Sequence, residues 1–163
     1  MAKIVSVARS PWYAAWQRHS WHERQLFLEA FCWLGLMRLL VLRLPFQWLL
    51  SSLRLRSCPV QILPTPCDMP PSVKLIRRAV QSASGYTPWT SNCLAQALAA
   101  YQMLHRRRLP STLYIGVAKP ADQPFTAHAW LRCGEVFVTG ETGWRQFTPI
   151  TSLESSAYVN YCL

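Results

Sequence analysis

A change of periodicity at Pro110 constrains the fold of this chain more than any other feature of its sequence. Before this proline, apolar residues recur at helical spacing from Leu94 to Leu104, and Thr90 or Ser91 can cap the start of the helix. After it, apolar residues run in short segments that are separated by turn residues, which is typical of strands. The sequence therefore predicts a helix followed by a sheet.

Three segments carry the strand pattern, and a fourth could add another strand. They are "STLYIGVAK" (111–119), "TAHAWLR" (126–132) and "EVFVTG" (135–140), with "GWRQFTPITSLE" (143–154) as the fourth. Cys133 and Gly134 predict a two-residue hairpin turn between the second and third segments. The predicted fold class is α+β, with an antiparallel sheet packed on the helix that Cys93 begins.

The most apolar stretch, 26–56, predicts two helices, roughly 22–43 and 46–54, with Pro45 at their boundary. Arg38 and Arg43 interrupt the stretch, whereas a membrane span needs about 20 residues that are nearly free of charge. We therefore interpret the first helix as one that packs on the domain core. A hydrophobic face offered to a partner is the alternative.

The segment that follows is rich in proline and has no helical period, which predicts a linker or loop over 57–71. A short amphipathic helix comes next, with Ser72 as its cap and Gly85 as its stop. The predicted organisation is an N-terminal helical segment over 1–56, the linker, and a core over 72–163, packed together as one compact unit.

Charge and cysteine content narrow the function classes. Lys and Arg number 17 against 7 Asp and Glu, and the net charge of +10 favours an anionic partner such as nucleic acid, a membrane surface or an acidic peptide. The start of the chain lacks the apolar core of a secretory signal, so the six cysteines are expected to be reduced thiols. The predicted location is the cytoplasm, with peripheral attachment to a membrane left open. No Cys or carboxylate pattern accompanies His19 and His22, so neither metal nor cofactor is expected.

Cys93 stands where a polar turn passes into the helix. A thiol there is either a small buried hydrophobe or a nucleophile, since a helix N-terminus stabilises a thiolate and offers N–H groups to an oxyanion. A nucleophile needs a base in reach. His105 lies at the far end of the helix, roughly 18 Å away. Only His128 lies on a strand that the chain order could bring onto the start of the helix.

A third group should hold the imidazole in place. With a two-residue turn at Cys133 and Gly134, His128 faces Thr139 across the hairpin, and side chains alternate with period two. Glu141 then lies on the His128 face, one diagonal step away and within a carboxylate's reach. Glu135, at the turn end of that face, and Asp122, in the loop before the strand, are the alternatives.

The ordered motifs resemble those of one protein family. "SNCLAQALAAYQMLHRRRLPSTLYIGV" followed by "FTAHAWLRCGEVFVTG" is similar to the lasso peptide biosynthesis B2 proteins, which are transglutaminase-like leader peptidases. The shared features are Cys93-Leu94, Arg107-Arg108, Pro110, Leu113, Ile115-Gly116-Val117 and His128-Ala129-Trp130. The resemblance extends from about Arg24 to Gly140 and includes the apolar helical start.

The resemblance implies a transglutaminase-like or papain-like cysteine peptidase core with N-terminal helices. It implies that Cys93 is the nucleophile and His128 the general base and acid that cleave the leader from a ribosomally synthesised lasso-peptide precursor. The implied partners are the precursor's leader, a separate B1-type leader-binding protein and an ATP-dependent cyclase. We see no extra domain before Trp21, which favours the stand-alone type of B2 protein.

One position departs from the family pattern, because many members carry an aspartate where this chain has Gly140. The third member of the site is therefore open between Glu141, Asp122 and Glu135. A Cys93–His128 dyad whose imidazole is oriented by a backbone carbonyl is a further alternative.

Two other functions stay open. A transglutaminase-like acyltransferase would use the same cysteine and histidine, with an amine in place of water. A basic nucleic-acid-binding module is favoured by the run Arg106–Arg108 and by the net charge. However, the chain carries no nucleic-acid-binding motif, and arginines at a helix end are typical of a solvated cap.

Overall fold

The computed structural model describes residues 20–58, 71–88, 92–119 and 124–155, and shows helices packed on a five-stranded antiparallel sheet. The helices are α1 (Trp21–Arg43), α2 (Phe46–Ser52), α3 (Pro71–Tyr86) and α4 (Cys93–His105). The strands are β1 (Leu55–Cys58), β2 (Thr112–Ala118), β3 (Thr126–Cys133), β4 (Val136–Thr139) and β5 (Thr148–Ser155). One 3₁₀ turn, Trp144–Gln146, precedes β5. The predicted α+β class is confirmed.

Helix α1 begins at a reciprocal cap. The hydroxyl of Ser20 accepts a hydrogen bond from the Glu23 amide at 3.3 Å, and the Glu23 carboxylate accepts one from the Ser20 amide at 2.8 Å. The helix ends at Leu44, whose extended backbone precedes Pro45. Both predicted N-terminal helices are therefore confirmed, with the second ending two residues early, at Ser52 rather than at 54.

One face of α1 is buried against α3 and α4, which confirms the core-packing interpretation. The buried residues are Leu26, Ala30, Leu34 and Met37. The opposite face exposes a row of leucines, namely Leu28, Leu36, Leu39 and Leu42. By length and composition α1 could also cross a membrane, a test that core helices of soluble proteins pass as well.

The strand order is β1-β5-β2-β3-β4, with β1 and β4 at the edges. The predicted fourth strand is confirmed as β5, which pairs with both β1 and β2. Strand β1 was not predicted. It spans the boundary that we placed between the N-terminal segment and the linker. Local sequence does not reveal it, because among the described strands it pairs with β5, which lies far along the chain. Residues 59–70 of the predicted linker lie outside the described residues, and the three-part division stays a prediction.

The predicted ends of α3 are wrong at both sides. The helix begins at Pro71, so Ser72 is its second residue, and it continues through Gly85 to Tyr86. Proline suits the first position of a helix, because its missing N–H would be unpaired there. A buried apolar stripe runs along most of the helix. Past the end of this stripe the glycine costs only about 1 kcal/mol, and the Tyr86 ring packs against Phe27. That stripe comprises Val73, Ile76, Ala79, Val80 and Ala83.

Helix α4 is the central element of the fold, since it packs against α1, α3 and the sheet. Its alanine-rich sequence lets these elements approach closely, and most of its residues are fully buried. The cap is Asn92, whose side-chain oxygen accepts from the Ala95 amide at 3.2 Å. The prediction that Thr90 or Ser91, which lie outside the described residues, caps this helix is therefore wrong.

The arginines at the end of α4 join it to α1. Arg107 donates from Nη1 and Nη2 to the two carboxylate oxygens of Glu29, at 3.1 and 2.7 Å. Arg106 approaches the same carboxylate at 3.9 Å. Two members of the basic run are therefore engaged within the fold, and only Arg108 of the three has no ion pair described here.

We predict that Leu34→Ala destabilises the protein strongly, while Leu36→Ala on the same helix does not. Leu34 is 0% exposed and Leu36 is 45% exposed. Truncation of a buried leucine lowers the free energy of unfolding by about 2–5 kcal/mol, whereas surface changes stay within about 0.5 kcal/mol. Urea unfolding followed by circular dichroism measures both values. Equal effects would mean that α1 is not part of the cooperative core.

Candidate active site

A cleft of about 300 Å³ opens where the start of α4 meets the strands β3 and β4. Cys93 and His128 both line it, as does Glu141. The remaining walls come from α3, from the first turn of α4 and from the end of the β3–β4 hairpin. The structure thus brings together the three residues that the sequence singled out first.

Cys93 is the first residue of α4, and its free thiol is partly buried. The Asn92 cap takes the Ala95 amide, while the amides of Cys93 and Leu94 precede the first intrahelical hydrogen bond. These N–H groups carry the positive end of the helix dipole. N–H groups in this position can bind the oxygen anion that forms when the sulfur adds to a carbonyl.

His128 lies near the start of β3, opposite Gly116 of β2. Its ring contacts the rings of Trp130 and Phe147, with centroids 6.0 and 5.0 Å away. A side chain at Gly116 would overlap the Trp130 ring, since a Cβ there would lie 2.8 Å from two of its carbons. The glycine thus makes room for the aromatic group against which the imidazole rests.

The aromatic layer behind His128 is well packed. Tyr114 stacks on Trp130 with centroids 5.7 Å apart and ring planes 9° from parallel. Burial raises the pKa of the Tyr114 hydroxyl above its ordinary value of 10.0, although the nearby Arg132 charge opposes the shift. The imidazole therefore lies between this layer of packed aromatic rings and the cleft.

A backbone carbonyl holds the imidazole. Nε2 of His128 lies 2.9 Å from the carbonyl oxygen of Gly140. Because a carbonyl only accepts, Nε2 carries the proton in this bond, and Nδ1 of the neutral ring keeps its lone pair. This arrangement is the backbone-carbonyl alternative that the sequence left open. It occurs at Gly140, next to Glu141 in the chain.

The predicted hairpin turn is wrong by one residue. Cys133 pairs with Val136, so the two turn residues are Gly134 and Glu135. Gly134 has a φ of +57°, which suits a tight turn between strands. Glu135 therefore lies in the turn, at the opposite end of the hairpin from His128.

A β-bulge then changes the register. Arg132 pairs with Phe137, but Leu131 pairs with Thr139, so Val138 is an extra residue on β4. The shifted turn and the bulge together place Thr139 opposite Leu131, so the predicted pairing of His128 with Thr139 is wrong. The bulge advances β4 by one residue, and the chain leaves the strand with the Gly140 carbonyl beside the imidazole.

The other predicted site residues are placed as follows. Glu141 lines the cleft, but its carboxylate accepts a hydrogen bond from Arg77, while the imidazole uses Gly140. His105 stacks on Tyr101 at the far end of α4, with centroids 5.6 Å apart. Asp122 lies outside the described residues, as does His19.

Over the described ranges, no group of three or more His, Cys, Asp and Glu residues is arranged to hold a metal ion. The sequence did not indicate Arg77 and Phe147 as site residues. The Phe147 ring contacts the His128 ring, and Arg77 donates to the backbone and carboxylate groups beside Gly140. Neither lies in a motif, and each reaches the site only through the tertiary fold.

We predict that Gly140→Ala destabilises the protein more than Gly143→Ala does. Both glycines have left-handed backbones, with φ of +72° and +79°. A Cβ at Gly140 would lie 2.6 Å from the Ala129 carbonyl, whereas nothing lies within 4 Å of one at Gly143. Gly143→Ala should cost about 1–2 kcal/mol from the backbone alone, and Gly140→Ala clearly more. Urea unfolding compares the two, and equal costs would show that Gly140 is not crowded.

The fold can now be compared with known proteins. The family model described as the transglutaminase-like superfamily matches residues 40–152, which is more than half of the chain and includes both Cys93 and His128. No curated protein and no solved structure gives a significant match. The matched range begins within α1 and ends within β5, so it includes α4, most of the sheet and the cleft between them. This chain belongs to the transglutaminase-like superfamily.

Proposed function

We propose that this protein is a cysteine peptidase that removes the leader from a ribosomally synthesised lasso-peptide precursor. Its superfamily includes cysteine peptidases and acyltransferases. The observation that carries the proposal is that Cys93, at the start of a buried helix, and His128, held by the Gly140 carbonyl, line one cleft.

The first chemical step joins the leader to the enzyme. Nδ1 of His128 takes the thiol proton, and Sγ of Cys93 attacks the carbonyl carbon of the scissile peptide bond. The N–H groups at the start of α4 stabilise the negative oxygen that results. His128 then gives its proton to the leaving nitrogen, the C–N bond breaks, and the core peptide departs with a free amino group.

The second step releases the leader. Water attacks the thioester carbon while Nδ1 of His128 accepts one of its protons. The C–S bond breaks, the leader leaves with a new carboxyl group, and the sulfur and imidazole return to their starting state. The amino group freed in the first step becomes the substrate of the proposed cyclase, which joins it to a side-chain carboxylate.

The size of the cleft supports a separate leader-binding partner. About 300 Å³ is at the lower end of the range for small-molecule sites, so the cleft accommodates only the residues next to the scissile bond. Most of a leader must then be recognised elsewhere. We therefore propose a B1-type leader-binding protein as the partner, with the reaction taking place in the cytoplasm.

The ordered motifs support the lasso-peptide assignment within the superfamily. Cys93-Leu94 begins the central helix, Ile115-Gly116-Val117 lies on β2, and His128-Ala129-Trp130 lies on β3. The Gly116 position has a physical role here, because it accommodates the Trp130 ring. Gly116, His128 and Trp130 thus lie together around the proposed base.

The arginine run does not favour nucleic-acid binding. Arg106 and Arg107 both interact with Glu29, so they do not form a free basic patch. An acyltransferase remains the competing function, since the same thioester could pass to an amine instead of water. The two functions differ in the acceptor of the acyl group, and the mass of the released leader distinguishes them.

We predict that Cys93→Ala abolishes leader cleavage and that Cys32→Ala, which alters an exposed cysteine on α1, does not. Loss of a catalytic nucleophile lowers the turnover rate by several orders of magnitude, roughly a millionfold in a related type of enzyme. The assay incubates precursor peptide, leader-binding protein and enzyme, and measures both products by mass spectrometry.

Cleavage by the Cys93→Ala variant would contradict the proposal. A second arm of the assay includes an excess of a small primary amine. A leader that gains the mass of the amine in place of water would identify an acyltransferase, whereas a free carboxyl group supports the peptidase.

A further inference from the structure

Arg77 of α3 holds both ends of the short segment that contains Gly140. Its Nη1 donates to the Phe137 carbonyl at 2.9 Å, and its Nη2 donates to the Glu141 carboxylate. One guanidinium thus binds the residues on either side of 138–140. Helix α3 is itself fixed by a buried apolar stripe, so it provides a rigid base for these contacts.

The segment needs such support because β4 is a poor anchor by itself. It has four residues, lies at the edge of the sheet and pairs only with β3. Its bulge at Val138 interrupts the ladder of hydrogen bonds. Gly140 lies just past the end of this strand, where pairing with β3 no longer fixes the backbone.

The position of Gly140 matters for the chemistry through a single contact. Its carbonyl receives the Nε2–H of His128, which sets the ring orientation and leaves Nδ1 as the base. A shift of this carbonyl would release the ring to rotate. Small displacements of a catalytic group can reduce a rate by about a hundredfold.

We propose that Arg77 and Glu141 are positioning residues, which clamp residues 137–141 and through the Gly140 carbonyl hold His128 in its reactive orientation. This proposal rests on the proposed function of Cys93 and His128. It gives Glu141 a role that differs from direct contact with the imidazole, because its charge is directed at Arg77.

The clamp can be tested without unfolding the protein. The side chains of Arg77 and Glu141 are 36% and 53% exposed, and ion pairs at such exposure contribute little to global stability. Arg77→Met removes both contacts, and Arg77→Lys keeps the charge with fewer donors. The matched control is Arg78→Met, which removes the neighbouring exposed arginine of α3.

The first measurement is the rate at which iodoacetamide alkylates Cys93, followed by mass spectrometry, since it needs no peptide substrate. We expect Arg77→Met to lower this rate roughly tenfold or more, Arg77→Lys to restore part of it, and Arg78→Met to leave it unchanged. The second measurement is the Nε2–H signal of His128 in NMR spectra. We expect it to be protected from exchange in the unmodified protein and lost in Arg77→Met.

The outcomes separate the two proposals. If Cys93 of the unmodified protein reacts no faster than Cys32, the proposed function fails and the clamp fails with it. If Cys93 reacts fast and Arg77→Met changes neither its rate nor the His128 signal, only the clamp is overturned. Equal losses in Arg77→Met and Arg78→Met would also overturn it, because they would indicate a general effect of charge. Circular dichroism of each variant verifies that the fold is retained.

Discussion

The hydrogen bond from His128 to the Gly140 carbonyl is the contact on which the arrangement of the site depends. It requires a bulge in β4, a left-handed glycine and a close approach to β3 that leaves no space for a Cβ. Each of these features is unfavourable or neutral for folding by itself. Local departures from ideal backbone geometry persist where the surrounding structure over-determines them, and they concentrate at functional sites. In this hairpin, the bulge and the left-handed glycine together place one carbonyl beside the imidazole.

The thiol of Cys93, in contrast, is positioned by a regular and mostly buried helix. Helix α4 is enclosed by α1, α3 and the sheet, and its small side chains allow these layers to pack closely. The bidentate contact between Arg107 and Glu29 joins the far end of α4 to α1. Cys93 is thus fixed by the core, while the orientation of the His128 ring depends on Gly140, just past the end of the edge strand β4. Any loss of alignment between them should begin on the histidine side.

The sequence predicted what depends on local patterning. Helices α1 and α2, the strands β2 to β5, and the placement of Cys93 and His128 in one cleft follow from periodicity, proline positions and chain order. The predictions failed where a distant partner decides the structure. Strand β1 exists because β5 lies beside it, and α3 continues through Gly85 to Tyr86, whose ring packs against Phe27 of α1. The register of the hairpin failed because the turn lies one residue later than predicted and a bulge then adds a residue. Neither leaves a clear signal in a run such as "EVFVTG", where several neighbouring residues suit a strand equally well.

A backbone carbonyl and a carboxylate differ in their electrostatic effect on an imidazole. An aspartate beside a catalytic histidine both orients the ring and stabilises the imidazolium that forms during catalysis. The Gly140 carbonyl orients the ring but carries no net charge, and the Glu141 carboxylate, which lines the same cleft, is engaged with Arg77. Under the proposed mechanism, charge stabilisation comes from the N–H groups at the start of α4, which can bind the developing oxygen anion. Because α4 is held by its burial among α1, α3 and the sheet, the packing of the core serves the proposed chemistry.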